Sequence, residues 1–281
     1  MTTPDSQPSP APTEATEKPG PPPVPERRRR TIAVSGSASG IGLAVRERFE
    51  KSGLKVVGTD VHDAEVVADL STAAGRAEAV ARTIELAGGF LDGAVACAGL
   101  GPHVLPFEAI MRVNYFGALA YLDGLLPALA QGEAPAAVAI SSNGATLTPR
   151  NQEFVDLLLT DDEEASAAMA GTLDGATVYG MSKLAMTIGL RRRTAVWAAE
   201  GVRLNAVAPG PVDTPLLQAG LDDKTLGPLI ESLPVPVGRR AGAHEIAGAV
   251  GFLLDPVNGF IHGSLLFVDG GSDALIRPDR V

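Results

Sequence analysis

Cysteine is almost missing from this chain. Cys97 is the only one in 281 residues. That excludes an intramolecular disulfide and a cysteine-rich zinc site. Aromatics are scarce too, at 4%, while 45% of residues are apolar and 20% charged. With 32 glycines and 22 prolines, this balance excludes a collagen-like, a disulfide-rich or a wholly disordered chain. No run reaches the roughly 18 apolar residues of a membrane span. No apolar stretch follows the basic run Arg27–Arg30, so no secretory signal is predicted and a cytoplasmic location is expected. No repeat of about 20–50 residues is evident. The net charge is −10. Residues 1–30 carry +1 of it, which leaves −11 on the rest. An acidic body argues against a nucleic-acid partner. It does not exclude anionic ligands held locally by backbone N–H groups.

Residues 1–30 hold nine prolines and only four apolar residues. Such a segment cannot offset its ordering entropy, so a disordered tail is expected, with Arg27–Arg30 as a solvated junction. From Thr31 to Val281 the pattern reads as one domain. Strands are predicted at 31–35, 55–59, 65–68, 93–97, 136–141, 202–207 and 264–268. Helices are predicted near 40–52, 71–87, 107–131, 177–200 and 243–254. Strand–helix alternation with apolar strands implies a doubly wound α/β fold on a parallel sheet. The expected strand order is 3-2-1-4-5-6-7, with the ligand at the carboxyl ends of the strands. About 35 residues separate the strand ending near Ser141 from the helix starting near Thr177. A link of that length is usually functional or mobile.

The first strand runs into Ser35-Gly36-Ser37-Ala38-Ser39-Gly40-Ile41-Gly42, and a helix follows. Glycines let the backbone approach a pyrophosphate, and the helix N-terminus offers N–H groups and a positive dipole end. A plain tight turn could use the same glycines. The second strand ends at Asp60, 18 residues after Gly42. A carboxylate there can accept from both ribose hydroxyls and would repel a 2′-phosphate, which favours NAD. Asp69-Leu70 closes the third strand, where a carboxylate could reach an adenine amino group. Tyr179 and Lys183 stand at i and i+4 on one helix face. A neighbouring ammonium lowers a tyrosine pKa and makes it a usable base.

In this order, with Ala96-Cys97-Ala98-Gly99, Val113-Asn114-Tyr115-Phe116-Gly117, Ile140-Ser141-Ser142 and Pro209–Thr214, the chain resembles the short-chain dehydrogenase/reductase family over about 31–271. The resemblance implies roles for named residues. Tyr179 would be the general acid/base, and Lys183 would hold the nicotinamide ribose and lower the Tyr179 pKa. Ser142 would hydrogen-bond the substrate oxygen. Asn114 would support a water between Lys183 and solvent. Gly36, Ser39, Gly40, Ile41, Gly42, Ala98 and Gly99 would line the cofactor, and Val212 and Thr214 would hold its carboxamide. No metal is implied. The implied substrate is a small secondary alcohol or ketone, in the branch acting on 3α-hydroxysteroids and carbonyl compounds. Alternatives are a coniferyl-type aryl alcohol and a non-catalytic dinucleotide-binding sensor. A homodimer or homotetramer is implied as well.

Two departures stand out. Ala96-Cys97 replaces the family's Asn-Asn pair, so the hydrogen bonds of those amides must be replaced or absent. Cys97 is expected to pack rather than attack. Thirty-six residues separate Ser142 from Tyr179, where the family has about a dozen. The extra segment, 147–175, is expected to be a mobile, partly helical cover whose Phe154, Val155, Leu157, Leu158 and Leu159 enclose a hydrophobic substrate. Packing against a partner subunit is the alternative. Asp161-Asp162-Glu163-Glu164 is expected to mark a helix N-terminus rather than a cation site. His103 is placed at the cleft mouth, either touching substrate or facing solvent.

Overall fold

The computed structural model describes residues 28–280. The proline-rich stretch 1–27, and with it most of the expected tail, lies outside the described residues.

The main sheet uses β1 (Thr31–Ser35), β2 (Lys55–Asp60), β3 (Val66–Val67), β4 (Gly93–Ala96), β5 (Ala136–Ile140) and β6 (Arg203–Pro209). Two short strands, β7 (Val212–Asp213) and β8 (Ala241–Gly242), pair in a separate ribbon before β9 (Leu265–Val268) completes the main sheet. Its order is β3-β2-β1-β4-β5-β6-β9, parallel throughout. This is the doubly wound order the sequence implies, with β9 as its seventh strand. Along β1 the side chains alternate between the two cores. Ile32 and Val34 face one core with Val45 and Ile246. Ala33 faces the other with Leu119 and Met186. Cover on both faces explains why the strands read as near-continuous apolar runs.

The helices are α1 (Gly40–Lys51), α2 (Ala73–Ala87), α3 (Phe107–Met111), α4 (Ala118–Leu129), α5 (Gly144–Leu147), α6 (Gln152–Leu158), α7 (Glu163–Ala170), α8 (Gly175–Ala199), α9 (Pro215–Asp222), α10 (Leu226–Glu231), α11 (Ala243–Leu254) and α12 (Ser272–Ile276). Start signals are local. Thr72 accepts from Gly75 N at 3.0 Å, and Asp174 accepts from Thr177 N at 2.9 Å. The predicted helix over 107–131 is instead α3, a π turn (Arg112–Gly117) and α4. The segment 147–175, expected to be partly helical, carries α6 and α7, with Asp161 between them at φ 61°.

The basic junction differs from expectation. Arg28 donates to both carboxylate oxygens of Asp92, at 2.9 and 2.6 Å, and stacks 3.9 Å over the Phe90 ring. Arg29 donates to the carbonyls of Gly53 and Leu54. Residues 28–30 are therefore docked on the body, because carbonyls and a carboxylate at the amino ends of β2 and β4 need donors.

Candidate active site

At the carboxyl end of β1 the chain turns sharply. Gly36 and Gly40 take φ of 69° and 52°, a region that favours glycine. A Cβ on Gly42 would collide with the Gly36 carbonyl. Ser39 caps α1 without a side-chain bond, so the first N–H groups of the helix lack a side-chain acceptor. That is the cradle a diphosphate needs. Asp60, at the end of β2, accepts from Ala38 N at 2.9 Å and Val61 N at 2.7 Å, which aims it beside the loop. Asp69 is exposed, and its carboxylate accepts from Ser71 N at 2.8 Å; Leu70 is buried beneath it.

The missing amide pair has a substitute. Ser35 Oγ accepts from Cys97 N at 3.1 Å and Ala98 N at 3.2 Å, tying the end of β4 to β1. Burial pushes the Cys97 thiol up to about 12, so it stays protonated and packs.

β5 delivers Ser141 and Ser142 to the same edge. Ser141 bonds Thr187 on α8 at 2.8 Å. Ser142 Oγ accepts from Gly144 N at 3.0 Å. A Cβ built on Gly144 would lie 3.2 Å from Ser142 Oγ and 3.4 Å from Tyr179 Cε1, so hydroxyl and phenol ring flank one point. One turn along α8, Lys183 Nζ donates to the Ile140 carbonyl at 2.8 Å. Burial lowers the Lys183 pKa to about 8. Burial also raises Tyr179, with only the Ser142 hydroxyl opposing it. Burial therefore opposes the lowering that Lys183 was expected to give Tyr179. Desolvation of a phenolate outweighs its neighbours here, and the Lys183 ammonium is engaged with Ile140. Asn114, in the π turn, is fully buried behind the wall. Its amide donates to Leu100 O at 3.0 Å and accepts from Leu100 N at 2.8 Å.

These residues meet in one cleft of about 700 Å³. Gly36, Ser39, Gly40, Ile41, Gly42 and Asp60 line it from the loop side, with Asp69 and Leu70 beyond them. Ala98, Gly99, Ser142, Tyr179 and Lys183 line its centre, and Val212 and Thr214 its far side. Asn114 does not line it but lies behind Gly99 and Leu100, which do. The cradle, Asp60 and the Tyr179–Lys183 pair together fit a nicotinamide dinucleotide.

The apolar cover is not the one expected. Phe154, Val155 and Leu158 are 0% exposed and pack into the core beneath α8. Of segment 147–175, only Leu147 and Thr148 reach the cleft. An apolar helix beside a larger apolar face is buried there before it can serve as a lid. The cover is α9 and α10, which bring Leu216, Leu217, Leu229 and Ile230 over the cleft. Sequence reasoning missed both helices, although Thr214 (the N-cap, accepting from Leu217 N) followed by Pro215 is a helix-start signal. His103 does not line the cleft either. It packs beside Gly101 and Gly220, and its Nδ1 is buried without a partner. The acids at 161–164 do mark a helix start: Asp162 accepts from Ala165 N at 3.0 Å. Among the described residues no cluster of His, Cys, Asp and Glu could hold a metal ion, and no helix is long and apolar enough to cross a membrane.

The 3-alpha-hydroxysteroid dehydrogenase/carbonyl reductase of Comamonas testosteroni is 45% identical over 241 residues, which is 84% of this chain and 94% of the relative. The chain belongs to the short-chain dehydrogenase/reductase family. A family model described as enoyl-(acyl carrier protein) reductase matches residues 164–273 of this dehydrogenase. Its fold matches the crystal structure of the 3-alpha-hydroxysteroid dehydrogenase from Pseudomonas sp. B-0831 complexed with NADH at a TM-score of 0.87. That match has 45% identity and covers 89% of this chain and 100% of the other. A solved short chain dehydrogenase/reductase family protein matches at 0.67 with 27% identity, covering 87% and 97%. The protein is thus an oxidoreductase of this family, built for a nicotinamide cofactor.

Proposed function

We propose that this dehydrogenase carries out reversible hydride transfer between NAD(H) and a secondary alcohol or ketone, on a bulky apolar substrate of the 3α-hydroxysteroid or related carbonyl class. One observation carries the reading. The Ser142 hydroxyl and Tyr179 phenol converge in a cleft whose outer wall is Leu216, Leu217, Leu229 and Ile230. The name of the Comamonas relative supports the same substrate class.

A nicotinamide held in this cleft would supply or accept the hydride; the chain supplies orientation and proton transfer. Ser142 Oγ donates to the substrate oxygen. In oxidation the Tyr179 phenolate accepts the hydroxyl proton, and in reduction the phenol returns it. Lys183 holds the nicotinamide ribose and, when charged, favours the phenolate. Asn114 supports the proton path from Lys183 to solvent. Asp60 receives the adenosine ribose, and its charge disfavours a 2′-phosphate. We also place the protein in the cytoplasm as a homodimer or homotetramer. The free thiol of Cys97 suits a reducing compartment. The half-exposed edge strand β9 and the fully exposed Phe260 beside it suit a partner copy.

The test is a comparison of kcat/KM for 3α-hydroxysteroids, aryl alcohols and small ketones with NAD and NADP. The expected result is the highest value for a hydroxysteroid with NAD. Turnover of aryl alcohols alone would contradict the substrate class, and an NADP preference would contradict the role of Asp60.

A further inference from the structure

The inserted segment makes its densest polar contacts at the start of α7, away from the cleft. Glu163 takes two arginines at once: Arg76 of α2 at 2.6 Å and Arg112 at 2.7 Å. The Arg76 side chain is only 9% exposed and that of Glu163 only 20%. Glu164 holds the other arm of Arg112 at 2.9 Å. Asp161 accepts from the Tyr115 hydroxyl at 2.9 Å. It does so from a left-handed backbone, φ 61°, a conformation that persists only where surrounding contacts impose it.

Arg112 and Tyr115 belong to the same π turn, and Asn114 lies between them. A π turn is rare and occurs mostly as a single turn inside an α-helix, so support from outside its own ladder helps to hold it. Here that support comes from the insertion on one side. On the other, the Asn114 amide pairs with both backbone atoms of Leu100. A Cβ added at Gly99 would lie 3.1 Å from Asn114 Oδ1 and 3.4 Å from Lys183 Nζ, so both polar groups border that glycine.

We infer that segment 147–175 is a positioning clamp for Asn114: Asp161, Glu163 and Glu164 grip Arg112 and Tyr115 and so fix the π turn that sets Asn114 against Leu100 and beside Lys183. The inference rests on the proton-path reading of Asn114 and Lys183. It gives the extra chain a use at the catalytic centre without contact with substrate. Asp161, Glu163, Glu164, Arg112 and Tyr115 are positioning residues, since each acts through Asn114.

Tyr115→Phe deletes one oxygen and keeps the ring, which is buried and packs edge-on against Phe116 at 4.8 Å. Glu163→Gln removes the charge between two arginines. Both are made in the wild-type chain and on an Asn114→Ala background, with Tyr179→Phe alongside. The expected loss in kcat is about tenfold for each clamp variant in the wild-type chain, as for a small misplacement of a working group. NADH affinity should stay within about twofold of wild type. On the Asn114→Ala background the clamp variants should cost no more, because the group they position is gone. A second readout does not use turnover. Hydrogen exchange at the Leu100 amide, which donates to Asn114, should quicken in Tyr115→Phe. The same fractional kcat loss on both backgrounds, or unchanged exchange at Leu100 with full kcat, would overturn the clamp. If Glu163→Gln fails to fold, Tyr115→Phe decides the matter. Turnover retained by Tyr179→Phe would instead overturn the catalytic reading, while exchange at Leu100 would still report on the clamp.

Discussion

Lys183 carries a charge in a place that penalises it. Its side chain is 5% exposed, and its one hydrogen bond goes to the Ile140 carbonyl. Burial brings its pKa from 10.5 to about 8. Below pH 8 both folded and unfolded chains are charged, and the fold bears the full cost. Between about pH 8 and 10.5 the fold releases the proton first, so that cost shrinks as pH rises, by roughly 3 kcal/mol in all. Urea unfolding of Lys183→Met, compared with wild type, should show an advantage for the variant that narrows over this range. An advantage that widens with pH would contradict the burial argument. Asp60 makes a second prediction. Asp60→Ala should weaken NAD binding about tenfold or more, the loss of a charge-assisted hydrogen bond. It should also narrow the NAD preference, read as the ratio of kcat/KM for the two cofactors. The i, i+4 spacing of Tyr179 and Lys183 and the strand-end place of Asp60 could be read from the sequence, since helix and strand periods fix them. The direction of the Tyr179 pKa could not. It depends on how deeply the phenol is buried and where Lys183 points, and neither is a local property of the chain.

The loop–helix unit Ser35–Lys51 was legible because glycine spacing and a following helix are local signals. Segments 147–175 and 215–231 were not: the first was expected as the cover, and the second, which supplies it, was missed. Both carry leucines at helical spacing, and periodicity does not say which apolar face meets the core. Phe154, Val155 and Leu158 found the flank of α8, whereas Leu216 and Leu229 are left 40% and 61% exposed over the cleft. The ends of the cover are pinned by the β7–β8 ribbon, where Val212 pairs with Ala241 and Asp213 with Gly242. Leu229→Ser with Ile230→Ser should therefore raise KM for a hydroxysteroid about tenfold, the loss of one to two buried aliphatic contacts. KM for a small ketone and the affinity for NADH should hardly move. Equal changes for large and small substrates would remove the pair from substrate binding.

At the scale of the whole molecule, chemistry and anchorage lie at opposite ends of the parallel sheet. The glycine cradle, Asp60, Ser142 and Thr214 stand at or just beyond the carboxyl ends of their strands, as doubly wound topology requires. At the amino ends, Asp92 is 0% exposed and accepts from Arg28, Thr31 N and Glu133 N. Burial alone would raise its carboxyl, but the Arg28 guanidinium and the two N–H groups hold it below the usual range. The stability it contributes is present above the ordinary carboxylate pKa and is lost as pH falls through the lowered one. Asp92→Ala should cost about 3 kcal/mol in urea unfolding, since it leaves buried donors unpaired. Its kcat should match wild type, because the site is at the far edge. A kcat loss without a stability loss would contradict that separation. The measurement that tests the account most directly is turnover of Tyr179→Phe alongside its affinity for NADH. General acid–base help is worth about 10²–10⁴-fold, so kcat should fall by at least about a hundredfold while NADH binds as in the wild type. A variant that keeps more than about a tenth of wild-type kcat would contradict the role of Tyr179 at the centre of this cleft.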